Sequence, residues 1–262
     1  MFGHLFGYSA AILLLIVALL QRLNLTWLAT AWLQLLALVA LACQAPLLYG
    51  LLVQPEGINL GLFNLATFIG WVISLFLLIT SLRLPLHILF CLVFPLNSLA
   101  IFAALLIPDP PVLIVSYNTV LIHVFISIIA YSILALAMAQ ALLITCQDYH
   151  LKRHQLTSII SRLPPLETME GFLFQLLISG FLLLTLALIT GAFFLEDIFK
   201  QHVVHKTVLS IVAWLIFSVL LAGHYFFGWR GRTITRWTLA GFFILAVSFF
   251  GSKFVLEVIL KL

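Results

Sequence analysis

The stretch QHVVHKTVLSIVAWLIFSVLLAGHYFFGWRGRTITRW, Gln201–Trp237, decides the fold. From Lys206 to Tyr225 it is almost wholly apolar. At about 1.5 Å of rise per residue, that run is long enough to cross the roughly 30 Å hydrocarbon core of a bilayer. His202 and His205 precede the run, and His224 closes it. His205 and His224 therefore fall near opposite faces of the membrane. Beyond it, GWRGR places Arg230 and Arg232 close together, which the positive-inside bias assigns to the cytoplasm. This helix is expected to run from outside to inside.

The rest of the chain repeats the pattern. Of its 262 residues 65% are hydrophobic and only 8% charged, which leaves no room for a soluble domain beside the apolar segments. Eight such segments stand at about 3–20, 27–52, 60–82, 86–107, 113–146, 171–195, 206–226 and 237–260. Turn-like separators divide them, among them QPEGIN, PDPP and a long polar stretch over 147–170. Backbone amides in lipid must be satisfied within their own segment, so a lone apolar span of this length is a helix. The expected fold is all-α: a polytopic integral membrane bundle of about eight transmembrane helices, one transmembrane domain over 1–262. Phe2 to Leu20 has no basic leader and no small-residue cleavage motif, and is expected to be a retained first helix. Pro46 is expected to kink the second helix, because proline withdraws one amide donor.

Charge reports topology. The formal charge of +4 is carried by residues strung along the connecting loops, which excludes a nucleic-acid surface. With the N-terminus outside, the inner loops hold Arg22, Arg83, Lys152, Arg153, Arg162, Arg230, Arg232 and Arg236, while the outer side holds Lys200, Lys206, Lys253 and Lys261. Both termini are thus expected outside. Within the cytoplasmic loop 147–170, Leu151, Leu156, Ile159, Ile160 and Leu163 interleave with Lys152, Arg153, His154 and Arg162. Such an amphipathic piece lies along lipid headgroups or docks a protein partner.

Few residues carry chemistry. Ionisable groups inside a membrane are costly and are functional candidates by default. His123 lies in the fifth segment near its outer end, and His202 and His205, spaced i, i+3, share a helix face. If the fifth and seventh helices touch, an imidazole from each could meet across a gap, the geometry of bis-histidine haem ligation. The plain alternative is a histidine bonded to a neighbouring helix. His224 beside Arg230 and Arg232 could receive a carboxylate-bearing ring, since guanidinium pairs with carboxylates bidentately. Otherwise these arginines contact lipid phosphates. Cys43, Cys91 and Cys146 form no CxxC and read as buried thiols. Paired intramembrane carboxylates, HExxH, GxSxG and phosphate loops are all missing from the sequence, so no enzyme is expected. A small anion transporter rests on Arg230 and Arg232 alone.

Four pieces of the chain resemble a known family: HVFISIIAYSILAL from His123, LPPLETMEGFLFQLLISGFLLLTLALITGAF from Leu163, HKTVLSIVAWLIFSVLLAGHYFFGWRGR from His205, and LAGFFILAVSFFGSKFVLEVIL from Leu239. They are similar to the cytochrome c assembly membrane proteins of the CcsA/CcmC type, in the YpjD/HemX branch. The resemblance implies a bacterial inner-membrane protein that handles haem, with external histidines as ligands beside a WWD segment. Its implied partners are haem, cytochrome c maturation proteins or proteins of haem synthesis. His123 matches the external histidine preceding that segment. LEDIFKQHVVHK stands where the family has its WWD motif, Gln44 stands where many relatives have a histidine, and the sequence stops at Leu262 before the second external histidine. His202 and His205 could stand in for that partner, on their spacing rather than on the family's pattern. The HemX side implies an alternative, a membrane regulator or interaction protein without bound haem.

Overall fold

The computed structural model describes residues 2–23, 30–55, 57–82, 87–107, 113–114, 118–153, 163–194 and 201–251. Its helices are α1 (Phe2–Leu23), α2 (Thr30–Leu52), α3 (Leu62–Ser81), α4 (Phe90–Leu106), α5 (Asn118–Lys152), α6 (Leu166–Phe194), α7 (Gln201–Phe227) and α8 (Arg232–Ala246). Eight helical spans are long and apolar enough to cross a membrane, α4 with its 3-10 turn at His87–Leu89 and α8 with a π turn at Val247–Gly251. The fold is the all-α polytopic bundle expected. Leu35, Leu38, Leu182, Leu186, Leu215 and Val219 remain exposed along the helices. Apolar surface of that extent is suited to lipid rather than water.

The chain divides into two compact units, Met1–Tyr117 and Asn118–Leu262. In the first, α1 packs on α2 and α4, and α3 packs on both α2 and α4. Phe90 and Phe94 stack at 4.5 Å in its core. A polar knot sits among these apolar side chains. Gln44 Nε2 donates to Asn97 Oδ1 at 3.1 Å, and Asn97 Nδ2 returns a bond to Gln44 Oε1 at 3.0 Å and a second to Ser74 Oγ at 3.0 Å. All three residues are buried. Pro46 lies inside α2, and Trp71 Nε1 donates to the Leu41 carbonyl, one turn back. A small antiparallel sheet in the order β1 (Val53–Gln54), β2 (Gly57–Asn59) and β3 (Leu113–Ile114) was not expected. It pairs Val53 with Ile58 and Ile58 with Ile114.

In the second unit, α5 packs on α6 and α8, and α7 packs on α6 and α8, so four antiparallel helices close a ring. Glycines permit two of these contacts. A Cβ on Gly180 would stand 2.6 Å from the Leu134 side chain, and one on Gly241 would stand 3.0 Å from the Phe217 ring. Trp214 Nε1 donates to Thr185 Oγ1 at 2.8 Å, bonding α7 to α6.

Several boundaries differ from the sequence expectation. The fifth helix begins at Asn118 rather than 113, because Leu113 and Ile114 are spent on β3. It then runs on to Lys152, since Gln147 is buried and bonded to the Pro164 carbonyl while Asp148 pairs with Lys152 one turn on. The sixth begins at Leu166, directly after Pro164–Pro165. Of the cytoplasmic loop expected over 147–170, Gln147–Lys152 thus belongs to α5 and Leu166–Glu170 to α6. Most of its amphipathic piece, 154–162, lies outside the described residues, as do Lys253 and Glu257. The eighth helix takes in Arg232, Arg236 and Trp237 from its start.

Candidate functional site

The antiparallel ring gives the second unit two ends. At one end stand the start of α5 and the end of α6. His123 there is half-buried, and its Nδ1 lies 3.1 Å from Thr190 Oγ1. The Thr190 hydroxyl has one proton and contacts the helix carbonyls of Leu186 at 2.9 Å and Ala187 at 3.1 Å. With its proton on a carbonyl, Thr190 accepts from His123 Nδ1–H, and Nε2 carries the ring's lone pair. Gly191 lets the imidazole lie close to α6, since a Cβ there would stand 3.0 Å from His123 Cε1. His123 is thus turned towards α6, the bonded arrangement given above as the plain alternative to an imidazole facing α7.

The start of α7 and the end of α8 meet at this same end. Ser248 Oγ donates to the Lys206 carbonyl at 2.8 Å and lies 2.9 Å from Ser210 Oγ. Tyr131, two turns after His123, is buried against Phe242, Phe249 and Phe250, with centroids 5.2, 5.1 and 5.7 Å away. His202 and His205 belong to the first turns of α7, so their backbone stands at this end; their side chains lie outside the described part.

At the other end, His224 stacks on Phe174 with centroids 3.5 Å apart, and its Nδ1 meets the Trp229 carbonyl at 2.8 Å. A carbonyl only accepts, so Nδ1 carries the proton here too and Nε2 is the base nitrogen. The chain can turn so tightly because Gly228 adopts φ +65°, a left-handed helix cap in which its N–H reaches the His224 carbonyl at 3.1 Å. Gly223 makes room for the Trp229 ring. Arg232 Nε lies 2.9 Å from Asp148 Oδ2, and the Lys152 ammonium 2.7 Å from Oδ1. Glu170 Oε1 accepts from the Gly231 N–H at 3.1 Å. Arg230 and Arg236 are exposed.

His123 and His224 are therefore held at opposite ends of the unit, and His224 shares its end with Arg230 and Arg232. The anion or lipid role expected of Arg232 now competes with Asp148, a residue sequence reading assigned to a loop. Thr190 and Gly191 were also missed, because nothing local marks a partner 67 residues away. Among the described residues, no three His, Cys, Asp or Glu side chains gather into a metal-ion cage.

Fold and site together define a multi-pass helical membrane protein with an oriented imidazole near each end of its second unit. The profile of the family described as cytochrome C assembly protein matches residues 32–260, and the chain belongs to that family. It is 33% identical to the inner membrane protein YpjD of Escherichia coli K12 over 258 residues, 97% of each chain. It is 24% identical to protein HemX of Brevibacillus brevis over 202 residues, 72% of each chain. A shorter match, 28% over 91 residues, covers 34% of this chain and 29% of the cytochrome c biogenesis protein CcsA of Prochlorococcus marinus MIT 9515. No solved structure matches.

Proposed function

We propose that this chain is a non-enzymatic, haem-handling protein of the bacterial inner membrane that serves c-type cytochrome biogenesis, with His123 giving an axial imidazole to haem near the outer face. Membership of the cytochrome c assembly family supports the role in biogenesis. The name of the YpjD relative supports the location. The observation that carries the haem reading is the mounting of His123. A side-chain oxygen on Nδ1 fixes tautomer and ring plane, the arrangement seen behind metal-ligating histidines. The glycine beneath it gives the imidazole its seat, since a Cβ there would crowd the ring at 3.0 Å. An imidazole so oriented suits haem iron, because the porphyrin brings its own four nitrogens and asks the protein for few ligands. Bound haem supplies the iron; this chain supplies orientation, a neutral nitrogen and a dry apolar wall.

His202 and His205 would be the candidates for a second ligand, because α7 begins at the end where His123 sits. His224 with Arg230 is a second imidazole site on the inner side. Its partners are the bilayer, haem, and proteins of cytochrome c maturation or haem synthesis.

The test is spectroscopic. Protein purified from membranes in mild detergent and titrated with haem is expected to give a Soret band that His123→Ala removes and His224→Ala leaves in place. A featureless spectrum at saturating haem would overturn the reading and leave the haem-free regulator as the function.

Orientation is part of the same proposal, since His123 must face outward. A phosphatase fused at Leu262 is expected to be active in the periplasm, and a reporter inserted in the turn 228–231 to remain cytoplasmic. Arg230 lies in that turn and Arg232 and Arg236 follow it, and an arginine costs about 2.5–3.5 kcal/mol at a helix centre on the insertion scale. The reverse pattern of activities would turn the bundle over and end an external site at His123.

A further inference from the structure

At the His123 end, one described cation is fixed in place. Lys206 begins the apolar span of α7, and its backbone carbonyl is held by Ser248 Oγ at 2.8 Å. Ser248 also meets Ser210, so the start of α7 is strapped to the π turn that ends α8. That turn places Phe249 under the lysine, with Nζ 5.1 Å from the ring centroid. The ammonium is therefore held over an aromatic face, a contact worth more as water is excluded. Phe249 in turn stacks on Tyr131 of α5 with centroids 5.1 Å apart, two turns after His123, so the lysine stands at the end that carries His123.

A fixed ammonium and an aromatic wall at the end that carries His123 suit a planar apolar ring with an anionic edge. Haem has that form: its carboxylates hang at one edge, away from the iron, and an ammonium pairs with a carboxylate through a charge-assisted hydrogen bond. We propose that Lys206 receives a haem carboxylate at the His123 site. This rests on the haem reading above. The same ammonium could instead serve a lipid phosphate or an acidic side chain of the chain itself, and the experiment separates these sources.

Wild-type protein and Lys206→Gln are titrated in detergent with haem and with haem dimethyl ester, whose carboxylates are masked, reading the Soret band. The expected result is that Lys206→Gln weakens haem binding by about tenfold to a hundredfold, that Lys206→Arg restores most of it, and that the ester is indifferent to the substitution. Equal affinity of wild type and Lys206→Gln for haem overturns the inference while leaving His123 standing, and returns the lysine to lipid or to an internal partner. Equal losses for haem and for the ester overturn it too, because the charge would then act on folding. No Soret band with either porphyrin in wild type ends the His123 reading and this inference with it.

Discussion

Gly191→Val is expected to abolish the haem Soret band, whereas Thr190→Val should only weaken binding by about 10–100-fold. The difference follows from what each residue does to one ring. Removing the Thr190 hydroxyl leaves His123 in place and takes away the oxygen that fixes Nδ1 at 3.1 Å. The imidazole can then reorient or change tautomer, and binding must meet the cost of ordering it. A side chain at Gly191 is a different insult. Its Cβ would stand 3.0 Å from Cε1 and 3.5 Å from Nδ1, and valine adds two methyls beyond that. The ring must leave its seat, and the Thr190 bond goes with it. Haem titration of both variants, with size-exclusion profiles to verify that α5 and α6 still pair, gives the measurement. If Gly191→Val binds haem like wild type, the ligand is not the imidazole that rests on α6.

Asn97→Ala is expected to destabilise the first unit more than the paired change Gln44→Leu with Asn97→Leu. Gln44 and Asn97 exchange amide bonds in both directions, and Asn97 holds Ser74 as well. Alanine at 97 strands the buried Gln44 carbonyl oxygen, and leaves its amide only the Thr67 carbonyl at 3.3 Å. Orphaning a buried polar group costs about 1–3 kcal/mol, and the volume left by the amide adds to it. Interhelical hydrogen bonds in membranes nonetheless average only about 0.6 kcal/mol in double-mutant cycles, because the unfolded chain in lipid finds other partners. The double leucine variant removes both sides of the bond and orphans no amide. Unfolding in mixed detergent micelles across the full cycle reads the coupling directly. A loss for the double variant equal to the sum of the single losses would mean the two amides act independently.

Much of this architecture was legible in the chain because lipid imposes so severe a rule on the backbone. Eight long apolar runs could be nothing but helices, and Pro164–Pro165 marked where one connection must end. The helix ends were harder to read. Gln147 and Asp148 look like loop residues, yet a carbonyl across the turn and a lysine one turn on extend α5 past them. Strands of two or three residues carry no period, so β1, β2 and β3 left no trace to find. His123 was visible as an isolated imidazole in apolar surroundings, but its seat on Thr190 and Gly191 depends on how α6 folds back. Gln44 read as a departure from relatives with histidine there. In the fold it is half of an amide pair whose other half, Asn97, lies on a different helix.

The π turn at Val247–Gly251 has a bearing on how this chain is compared with others. Phe249 and Phe250 are consecutive, yet both rings lie within 5.7 Å of Tyr131. In an ordinary α-helix neighbouring side chains diverge by about 100°, whereas a turn closing on i→i+5 is wider and takes up one residue more. A relative whose eighth helix stays α-helical would thus be one residue shorter here, and its alignment to this chain requires a gap between positions 247 and 251. Placed anywhere upstream, that gap would shift Ser248 out of step with its counterpart and would credit the wrong residue with strapping α8 to the start of α7.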